Sequence, residues 1–548
     1  MRRIWIAFAI MLLLQGLVLV DWGVQKQGFH VDEITSFVNS NGYYARKLYK
    51  SSGYTDVWQT SQYFLDSLYA HADQRFSYAT VLENVATDSS VHPPLFHLAL
   101  HTVLSFFPET FSKWLGIVPN MVYFFVAQVF LFLIARWFLG KKKQWLALLP
   151  CLIWGFSAGS VSIVIFIRMY EMLTMWSLGL IYFHLRYISA EKPAKWLVLI
   201  GVFSFLCFMT HYYSIVFIFF LAGLFTLDRL IRRGWKAALA YAATVLGALG
   251  LMVACWPVTI TKGVIGSSRG TEAVSNLKES TAQLIREHLS DYLSIVQKAL
   301  FDGRMTWLFL AMALLLLIVL FKALFRAFSE KVPEAQARAF LPLRVRLERC
   351  RFALTDGRIA AFLLSVAGLA TFLMIVVVAP YQDLRYISFL LPLLVIVIFL
   401  FAKWLAGHLF KCRAVFPIVM AVIFALTTGL SYRDGSVQYL YQNQGEANEK
   451  IEETDCDVAI CFYSVVNRTA LDFVQYMLFD AVYLTDVSSF GSFPVILADQ
   501  DTTNGVVVFL DKSQDMDAAV AEILANTNLT SYQKLYTDSY FNVLWFSV

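Results

Sequence analysis

The stretch "MRRIWIAFAIMLLLQGLVLVDWGVQKQGFHVDEITSF" (residues 1–37) decides the fold, because it joins an apolar run to a pair of carboxylates. The run from Ile4 to Val20 is long enough to cross a bilayer. Two arginines precede it and no small-x-small cleavage site follows it, so we interpret it as an uncleaved first span with a cytoplasmic N-terminus. Asp32 and Glu33 then lie just beyond the outer end of that span. Two adjacent carboxylates so close to a bilayer surface indicate a functional site.

The composition assigns the whole chain to the membrane class. Of its 548 residues, 58% are hydrophobic and only 15% are charged, whereas soluble domains carry about 25% charged residues. We therefore expect a polytopic α-helical membrane protein. The net charge of +5 is less informative than the distribution of the charges along the chain, because that distribution sets the topology.

The seven cysteines predict no structural framework. No Cys/His spacing matches a structural zinc site. Cys456 and Cys461 lie on one predicted strand, where roughly 16 Å would separate them, which is too far for a mutual disulfide.

Apolar runs of membrane-spanning length recur through most of the chain. They lie at 4–20, 117–138, 145–183, 196–227, 237–258, 305–325, 359–379, 386–402 and 414–430. Two runs are too long for one crossing, and the positive-inside rule decides how they divide. The run 145–183 has basic residues at both ends, so it crosses twice, with a turn near Gly155–Ser162. The run 196–227 is flanked in the same way and turns near Thr210–Tyr213.

Eleven predicted spans result, with the N-terminus in the cytoplasm and the C-terminus outside. The segment 326–358 should then be cytoplasmic, and it is rich in arginine; the tail beyond Arg433 should be external, and it is acidic. Both agree with the rule. We expect a membrane domain at 1–432, which contains a large outer loop at 21–116, and an extracytoplasmic domain at 433–548.

The tail predicts a small α/β domain. Short apolar runs read as buried strands, and they are "DVAICFY" (457–463), "AVYLTDV" (481–487), "GVVVFLD" (505–511) and "SYFNVLWFSV" (539–548). Helices are predicted at 466–479 and 516–526.

The predicted topology brings polar residues from distant segments to the outer end of the membrane domain. They are Asp32, Glu33, His92, Arg168, Glu171, His211, Tyr212, Tyr213, Asp383, Arg385 and Tyr386. Outward-facing arginines fit a lipid phosphate, because guanidinium offers several donors and keeps its charge. Carboxylates beside them fit a divalent metal or a general base. This combination predicts a site for a phosphate-bearing ligand.

Each of these residues also has a purely structural interpretation. Asp32 alone would cap the helix that begins at this point, and Arg168 with Glu171 would form an ion pair one helical turn apart. Arg385 would anchor a helix end at the membrane interface. The histidines would start a helix or pack against neighbours. The coincidence of all these residues on one face of the membrane favours a shared site.

Four motifs occur in a recognisable order: "HVDE" (30–33), "VHPPLFH" (91–97), "RMYEML" (168–173) and "DLRY" (383–386). Together they resemble the GT-C superfamily of polytopic glycosyltransferases, which use polyprenyl-phosphate sugars. The similarity is to bacterial members of the protein O-mannosyltransferase and lipid A aminoarabinose transferase group, and it covers about residues 1–430. The resemblance implies a GT-C membrane domain with juxtamembrane helices in the outer loop.

The resemblance also implies roles for individual residues. Asp32 would be the catalytic carboxylate, which accepts or orients the proton of the attacking group, and Glu33 would support it. Arg168, Arg385 and Tyr386 would bind the donor phosphate. The remaining lining residues would be His30, His92, Tyr170, Glu171, His211, Tyr212 and Asp383.

A divalent metal ion stays open as a cofactor. Relatives that bind a metal carry an acid beside the Pro-Pro segment, whereas Asp88 is the nearest acid in this chain. The candidate ligands are therefore Glu33, Asp88 and His92.

The chemistry that these residues suit is a direct displacement at the anomeric carbon of a lipid-linked sugar. The leaving group is already an anionic phosphate, so stabilisation of its charge by Arg168 and Arg385 suffices without protonation. Asp32 beside the acceptor completes the displacement, which predicts inversion. The amphipathic stretch 276–301 is expected to lie on the outer membrane surface and to wall the donor entrance.

We thus expect a hexosyl- or pentosyltransferase in the plasma membrane of a bacterium. Its partners would be a polyprenyl-phosphate sugar, an extracytoplasmic acceptor (glycan, lipid or protein) and membrane lipids. The basic runs 141–143 and 344–351 are explained by topology, so no nucleic-acid partner is expected. Two alternatives stay open. A transporter or flippase for lipid-linked glycans would carry paired repeats and mid-membrane charges, and a non-catalytic scaffold would tolerate Asp32→Asn.

Overall fold

The computed structural model describes residues 2–41, 54–87, 92–140, 143–264, 268–279, 281–329, 355–409 and 415–548. Within these residues, eight helices are long and apolar enough to cross a membrane, and a bent pair of shorter helices brings the number to nine. The protein is therefore a multi-pass membrane protein, as its composition predicts. Helices at Tyr170–Ile188 and Ala194–Phe208 stand at the two remaining positions of the predicted spans.

The helices of the membrane domain and its outer loop follow one another with short breaks. They are α1 (Arg2–Gln25), α2 (Val31–Ser40), α3 (Ser61–Asp66), α4 (Tyr78–Thr87), α5 (Leu95–Phe106), α6 (Trp114–Leu139), α7 (Leu148–Gly155), α8 (Ala158–Ile165), α9 (Tyr170–Ile188), α10 (Ala194–Phe208), α11 (Tyr213–Arg233), α12 (Trp235–Cys255), α13 (Ser268–Glu279), α14 (Ala282–Phe301), α15 (Met305–Ser329), α16 (Asp356–Val378), α17 (Leu384–Ile387), α18 (Leu391–Leu409) and α19 (Val415–Arg433).

The run 145–183 contains two breaks where the sequence predicts one turn. α7 and α8 meet at an angle of 61° inside the predicted turn, where the Ser157 side chain caps α8 and restarts the helix. The chain leaves the helix again between α8 and α9, and Arg168 lies in this second break. The single predicted turn is therefore wrong, because flanking charges fix the sides of the two ends and do not resolve a bend between them. The turn predicted within 196–227 is confirmed by the separation of α10 and α11.

The amphipathic stretch 276–301 forms parts of two helices. α13 ends at Glu279, and the Thr281 side chain caps α14 by accepting a hydrogen bond from the backbone N–H of Leu284. One face of α14 packs against α8, α16 and α19. Leu284 and Leu293 remain exposed on the other face, which keeps the expected membrane-surface location open.

A six-stranded mixed sheet forms the core of the C-terminal domain. The strands are β1 (Trp58–Gln59), β2 (Val458–Tyr463), β3 (Ala481–Asp486), β4 (Val506–Asp511), β5 (Ser531–Thr537) and β6 (Phe541–Ser547), in the spatial order β1-β3-β2-β4-β6-β5. The helices of this domain are α20 (Gln442–Glu452), α21 (Phe473–Tyr476), α22 (Phe493–Leu497) and α23 (Met516–Asn526). β2 is parallel to β3 and β4, and β2 and β4 are buried along their whole length, which explains their continuous apolar sequences.

Most of the domain agrees with the sequence prediction. All four predicted strands and the helix at 516–526 are confirmed. The helix-like stretch predicted at 466–479 is helical as far as Tyr476, but it begins as a 3₁₀ segment at Val466–Asp472 that leads into the four-residue α21. β5 was not predicted, because its residues are mostly exposed and polar. Cys456 and Cys461 are both free.

The outer loop is joined to the C-terminal sheet. β1 belongs to the loop and pairs antiparallel with β3. Next to it, the backbone N–H of Asp56 donates to Leu484 O, and Thr485 Oγ1 donates to the Asp56 carboxylate. These contacts hold Asp56 and β1 at the edge of the sheet.

Candidate active site

Helix α2 presents the two adjacent carboxylates. His30 is the N-cap of this helix: its Nδ1 accepts a hydrogen bond from the backbone N–H of Asp32, and Glu33 Oε2 accepts one from the backbone N–H of His30. This reciprocal arrangement is a capping box. Asp32 is therefore not the cap, and its purely structural interpretation is wrong.

Asp32 forms an ion pair with Arg385, which lies 353 positions further along the chain. Asp32 Oδ2 is 2.5 Å from Arg385 Nη1. The Asp32 side chain is 33% exposed, whereas that of Arg385 is 2% exposed. The predicted convergence of these two segments is thus present, and Arg385 is not an interfacial anchor. The carboxylate lies at the open side of the pair, and the guanidinium lies beneath it.

Arg168 approaches the same carboxylate from within the protein. Its Nη1 donates to the backbone O of Asp32 at 3.2 Å and to Ser36 Oγ at 3.0 Å, while its Nε has no hydrogen-bond partner among the described residues. Burial alone would raise the pKa of Asp32, but the Arg168 and Arg385 guanidinium groups outweigh burial and hold the pKa below its usual range. Asp32 is therefore fully ionised at neutral pH.

Aromatic rings and a second carboxylate fix the Arg385 guanidinium. Its Nη2 donates to the Tyr381 hydroxyl, and its Nε lies 3.4 Å from Asp383 Oδ2. The guanidinium carbon lies 5.3 Å from the ring centroids of Tyr381 and Tyr386 and 5.7 Å from that of Phe166. A planar guanidinium stacks on such faces while its N–H groups stay directed in the plane.

Glu33 forms a second ion pair, which is closed to solvent. Its Oε2 lies 3.0 Å from Lys26 Nζ, and both side chains are 0% exposed. The backbone N–H groups of His30 and Ile167 donate to its two oxygens, each at 2.8 Å. Burial raises the pKa of Glu33, and Lys26 and the two backbone donors oppose the rise. Glu33 thus supports the site by joining α2 to the break that carries Arg168.

Histidines and tyrosines form the remaining wall. The His211 ring centroid lies 5.8 Å from that of His92 and 5.3 Å from that of Tyr170. His211 Nδ1 accepts a hydrogen bond from the backbone N–H of Tyr213, so it both packs and hydrogen-bonds. Burial lowers the pKa of His30 to about 4 and that of His92 well below its usual value. Both histidines are therefore neutral at neutral pH.

Three predicted residues lie outside this arrangement. Glu171 is fully buried, and its two oxygens have no hydrogen-bond partner among the described residues, so its expected ion pair with Arg168 is wrong. The Tyr212 hydroxyl is hydrogen-bonded to Thr259 Oγ1 at 3.2 Å. Asp88 lies outside the described residues.

Sequence reasoning missed Lys26, Tyr381 and Tyr439. Tyr381 stands four residues before Arg385, and this spacing was an available signal. Lys26 follows the first span directly, as many topogenic lysines do. Tyr439 stacks on Phe166 with a centroid distance of 4.2 Å, and no local pattern marks it, because the contact joins the tail to the membrane domain.

The described residues give no support to a resident metal ion, and the candidate ligand Asp88 lies outside them. Among the described side chains, no group of three or more His, Cys, Asp or Glu could hold one. Both Glu33 oxygens accept hydrogen bonds from N–H donors, which would have to be displaced by a metal.

Known structures provide the comparison, since no family model and no curated protein sequence matches the chain. The chain is similar to ArnT from Cupriavidus metallidurans in the apo state, with a TM-score of 0.50 and 11% identity over 99% of this chain and 98% of that chain. ArnT from the same organism bound to undecaprenyl phosphate gives a TM-score of 0.49 at 11% identity, again over 99% and 98%. The archaeal oligosaccharyltransferase AglB from Archaeoglobus fulgidus, in complex with an inhibitory peptide and a dolichol-phosphate, gives 0.39 at 10% identity over 87% and 69%.

The similarity to apo ArnT extends over the tail, which the four sequence motifs left out. At this level of identity it concerns the arrangement of the helices and the sheet. The chain therefore shares the fold of apo ArnT over nearly its whole length.

Proposed function

We propose that this protein is a membrane glycosyltransferase that moves a sugar from a polyprenyl-phosphate donor to an acceptor outside the cytoplasm, with inversion. The observation that carries the proposal is the open ion pair between Asp32 and Arg385. It unites an ionised, accessible carboxylate with a buried guanidinium at one end of the membrane domain.

The donor phosphate would replace Asp32 as the partner of the Arg385 guanidinium. Both Arg385 and Arg168 are almost fully buried, so a phosphate oxygen reaches Arg385 only by displacing Asp32 or Tyr381 from it. Displacement removes from Asp32 one of the two cations that keep its pKa low, and burial then raises the pKa. Donor binding would thereby convert a weak base into a competent one.

The transfer step follows from this exchange. The acceptor oxygen or nitrogen forms a bond to the anomeric carbon, and the bond from that carbon to the phosphate oxygen breaks. Its electron pair leaves with the phosphate, whose negative charge stays on Arg385. The acceptor proton passes to the Asp32 carboxylate. A single displacement of this kind inverts the anomeric centre.

The competing functions are less well supported. A transporter or flippase would need charges at mid-membrane depth and related halves. The charged cluster here lies instead where the outer loop, the breaks before α9 and α17, and the tail meet. A non-catalytic scaffold would not need an ion pair whose carboxylate is accessible to solvent.

The decisive variant is Asp32→Asn, expressed in a strain that lacks the protein. We expect it to lower transfer by about 10² to 10⁴, because it removes the base and keeps the side-chain shape. The matched control is Asp73→Asn, which changes an exposed carboxylate of the same outer loop and should restore the wild-type surface glycans. Full restoration by Asp32→Asn would show that Asp32 is not the catalytic base.

A further inference from the structure

A segment of the C-terminal tail lies within the candidate site. We define residues 437–444 as the C-terminal strap. We infer that Tyr439 of this strap is a positioning residue, which holds the Arg385 guanidinium in place through Asp383. The inference rests on the proposed function, because it concerns the guanidinium that would receive the donor phosphate.

The strap is tied to the membrane domain along its length. Its hydrogen bonds run from Lys26 Nζ to Tyr439 O (2.7 Å), from Gln27 N to Leu440 O (2.8 Å), from Gln438 N to Ser162 Oγ (2.8 Å), from Phe29 N to Gln444 Oε1 (2.9 Å) and from Gln444 Nε2 to Phe29 O (2.9 Å). The partners belong to α8 and to the segment that leads into α2. The strap therefore joins α8, which precedes the break that carries Arg168, to the segment that precedes α2.

The Tyr439 side chain ends on the second carboxylate of the site. Its hydroxyl donates to Asp383 Oδ1 at 2.6 Å, and the same oxygen accepts the backbone N–H of Arg385 at 3.0 Å. The other oxygen, Oδ2, lies 3.4 Å from Arg385 Nε. With Oδ1 held by two donors, the rotamer of Asp383 is fixed and Oδ2 stays directed at Arg385. The stacking of Tyr439 on Phe166 keeps the Tyr439 hydroxyl directed at Asp383.

The backbone of the strap is an independent observation. Tyr439 has φ 65° and Tyr441 has φ 50°, in the left-handed region that bulky residues rarely adopt. Such conformations persist where the surroundings over-determine them, and they concentrate at functional sites. The hydrogen bonds of the strap hold this backbone conformation in place, and the conformation directs Tyr439 towards Asp383.

This arrangement has a consequence for donor binding. When phosphate takes the Nη groups of Arg385 from Asp32 and Tyr381, the contact of Nε with Asp383 remains. This ionic contact at 3.4 Å restricts the rotation of the guanidinium, so that both Nη groups meet the phosphate together. Without the Tyr439 hydroxyl, Asp383, which is 23% exposed, keeps only the backbone N–H of Arg385 as a donor to Oδ1, and its side chain is held less firmly.

The test compares two Tyr→Phe variants in the full-length protein. Tyr439→Phe removes the hydroxyl and keeps the stacked ring. The matched control is Tyr432→Phe, whose hydroxyl donates to Phe156 O at 2.6 Å. The probe is a polyprenyl monophosphate in detergent micelles. We expect Tyr439→Phe to weaken its binding about tenfold, as for the loss of a hydrogen bond to a charged group, and Tyr432→Phe to leave binding unchanged, with similar melting temperatures for both variants.

Asp383→Asn and Arg385→Gln show whether Tyr439 acts on lipid-phosphate binding through Asp383. In an Asp383→Asn background, Tyr439→Phe should have no additional effect, since it acts through that carboxylate. If Tyr439→Phe weakens binding equally in the Asp383→Asn background, the positioning role is overturned. The same holds if Tyr439→Phe binds the lipid phosphate as wild type does while Arg385→Gln binds it weakly. Either result leaves the proposed function standing. If wild type and Arg385→Gln bind the lipid phosphate equally, or wild type does not bind it, the proposed function fails and the inference fails with it.

Discussion

Helix α2 carries two ion pairs one residue apart, and they differ in nearly every physical respect. The pair of Glu33 with Lys26 is closed: neither side chain is exposed, and backbone N–H groups donate to both Glu33 oxygens. The pair of Asp32 with Arg385 is open: one third of the Asp32 side chain is accessible, and the guanidinium lies beneath it. The residue types alone do not distinguish Asp32 from Glu33; only the resemblance to a known superfamily assigns them different roles.

This difference suits the closed pair to a structural role and the open pair to a chemical role. A buried carboxylate whose oxygens are all engaged holds the backbone and has no free position for a substrate. An accessible carboxylate that shares a guanidinium can exchange partners with an incoming anion. On this basis Glu33 positions the site, and Asp32 is the residue that we assign to the reaction.

Breaking the closed pair should have the largest effect. Lys26→Met leaves Glu33 as a buried, uncompensated charge, and we expect it to lower the free energy of unfolding by about 3–5 kcal/mol. The measurement is chemical denaturation in detergent micelles. The double variant Lys26→Met/Glu33→Gln should recover part of the loss, because glutamine removes the charge and its Oε1 still accepts one of the two backbone hydrogen bonds, whereas its Nε2 cannot accept the other. No recovery would mean that charge burial is not the reason for the instability.

Breaking the open pair should instead affect transfer. Arg385→Gln removes the guanidinium proposed for the phosphate, and we expect the transfer rate to fall by about 100- to 1000-fold. Its free energy of unfolding should change less than that of Lys26→Met, because Asp32 remains partly solvated. Sugar release from a polyprenyl-phosphate donor and denaturation, measured on the same sample, give both quantities.

Arg385→Lys sharpens this prediction. Lysine keeps the charge but cannot hold Asp32 and Tyr381 together as the planar guanidinium does. Its transfer rate should therefore lie between those of wild type and Arg385→Gln. If Arg385→Gln unfolds as readily as Lys26→Met, the open pair is structural as well, and the contrast between the two pairs disappears.

The sequence could predict the site to the extent that topology constrains it. Alternation of sides across the spans placed Asp32, Arg168 and Arg385 at one end of the membrane domain before any contact was known. It could not assign the partners that are distant in sequence: Lys26 Nζ donates to Tyr439 O across 413 positions. Buried strands such as β2 and β4 were predictable from continuous apolar runs, whereas β1 consists of two residues that depend on β3 for pairing.

The smallest expected effect concerns His30, which links the two pairs through the cap of α2. Burial, to which Arg385 and Arg168 add, lowers its pKa to about 4, against the opposing effect of Asp32 and Asp383. In the unfolded chain the value is about 6.5. Between these values the unfolded chain binds more protons, so stability is full above pH 6.5 and is lost as the pH falls towards 4. With its partial exposure discounted, we expect on the order of 2 kcal/mol.

His30→Asn tests the origin of this loss. Protonation at Nδ1 removes the acceptor for the Asp32 backbone N–H, whereas asparagine is a good N-cap that does not titrate. The variant should match wild type at pH 7.5 and lose less stability between pH 6.5 and 4, measured by denaturation at a series of pH values. Asp32 does not obscure this window: its folded pKa lies below the usual range, so its contribution is lost only below about pH 4. An unchanged pH dependence in His30→Asn would assign the loss to other groups and leave the cap of α2 independent of pH.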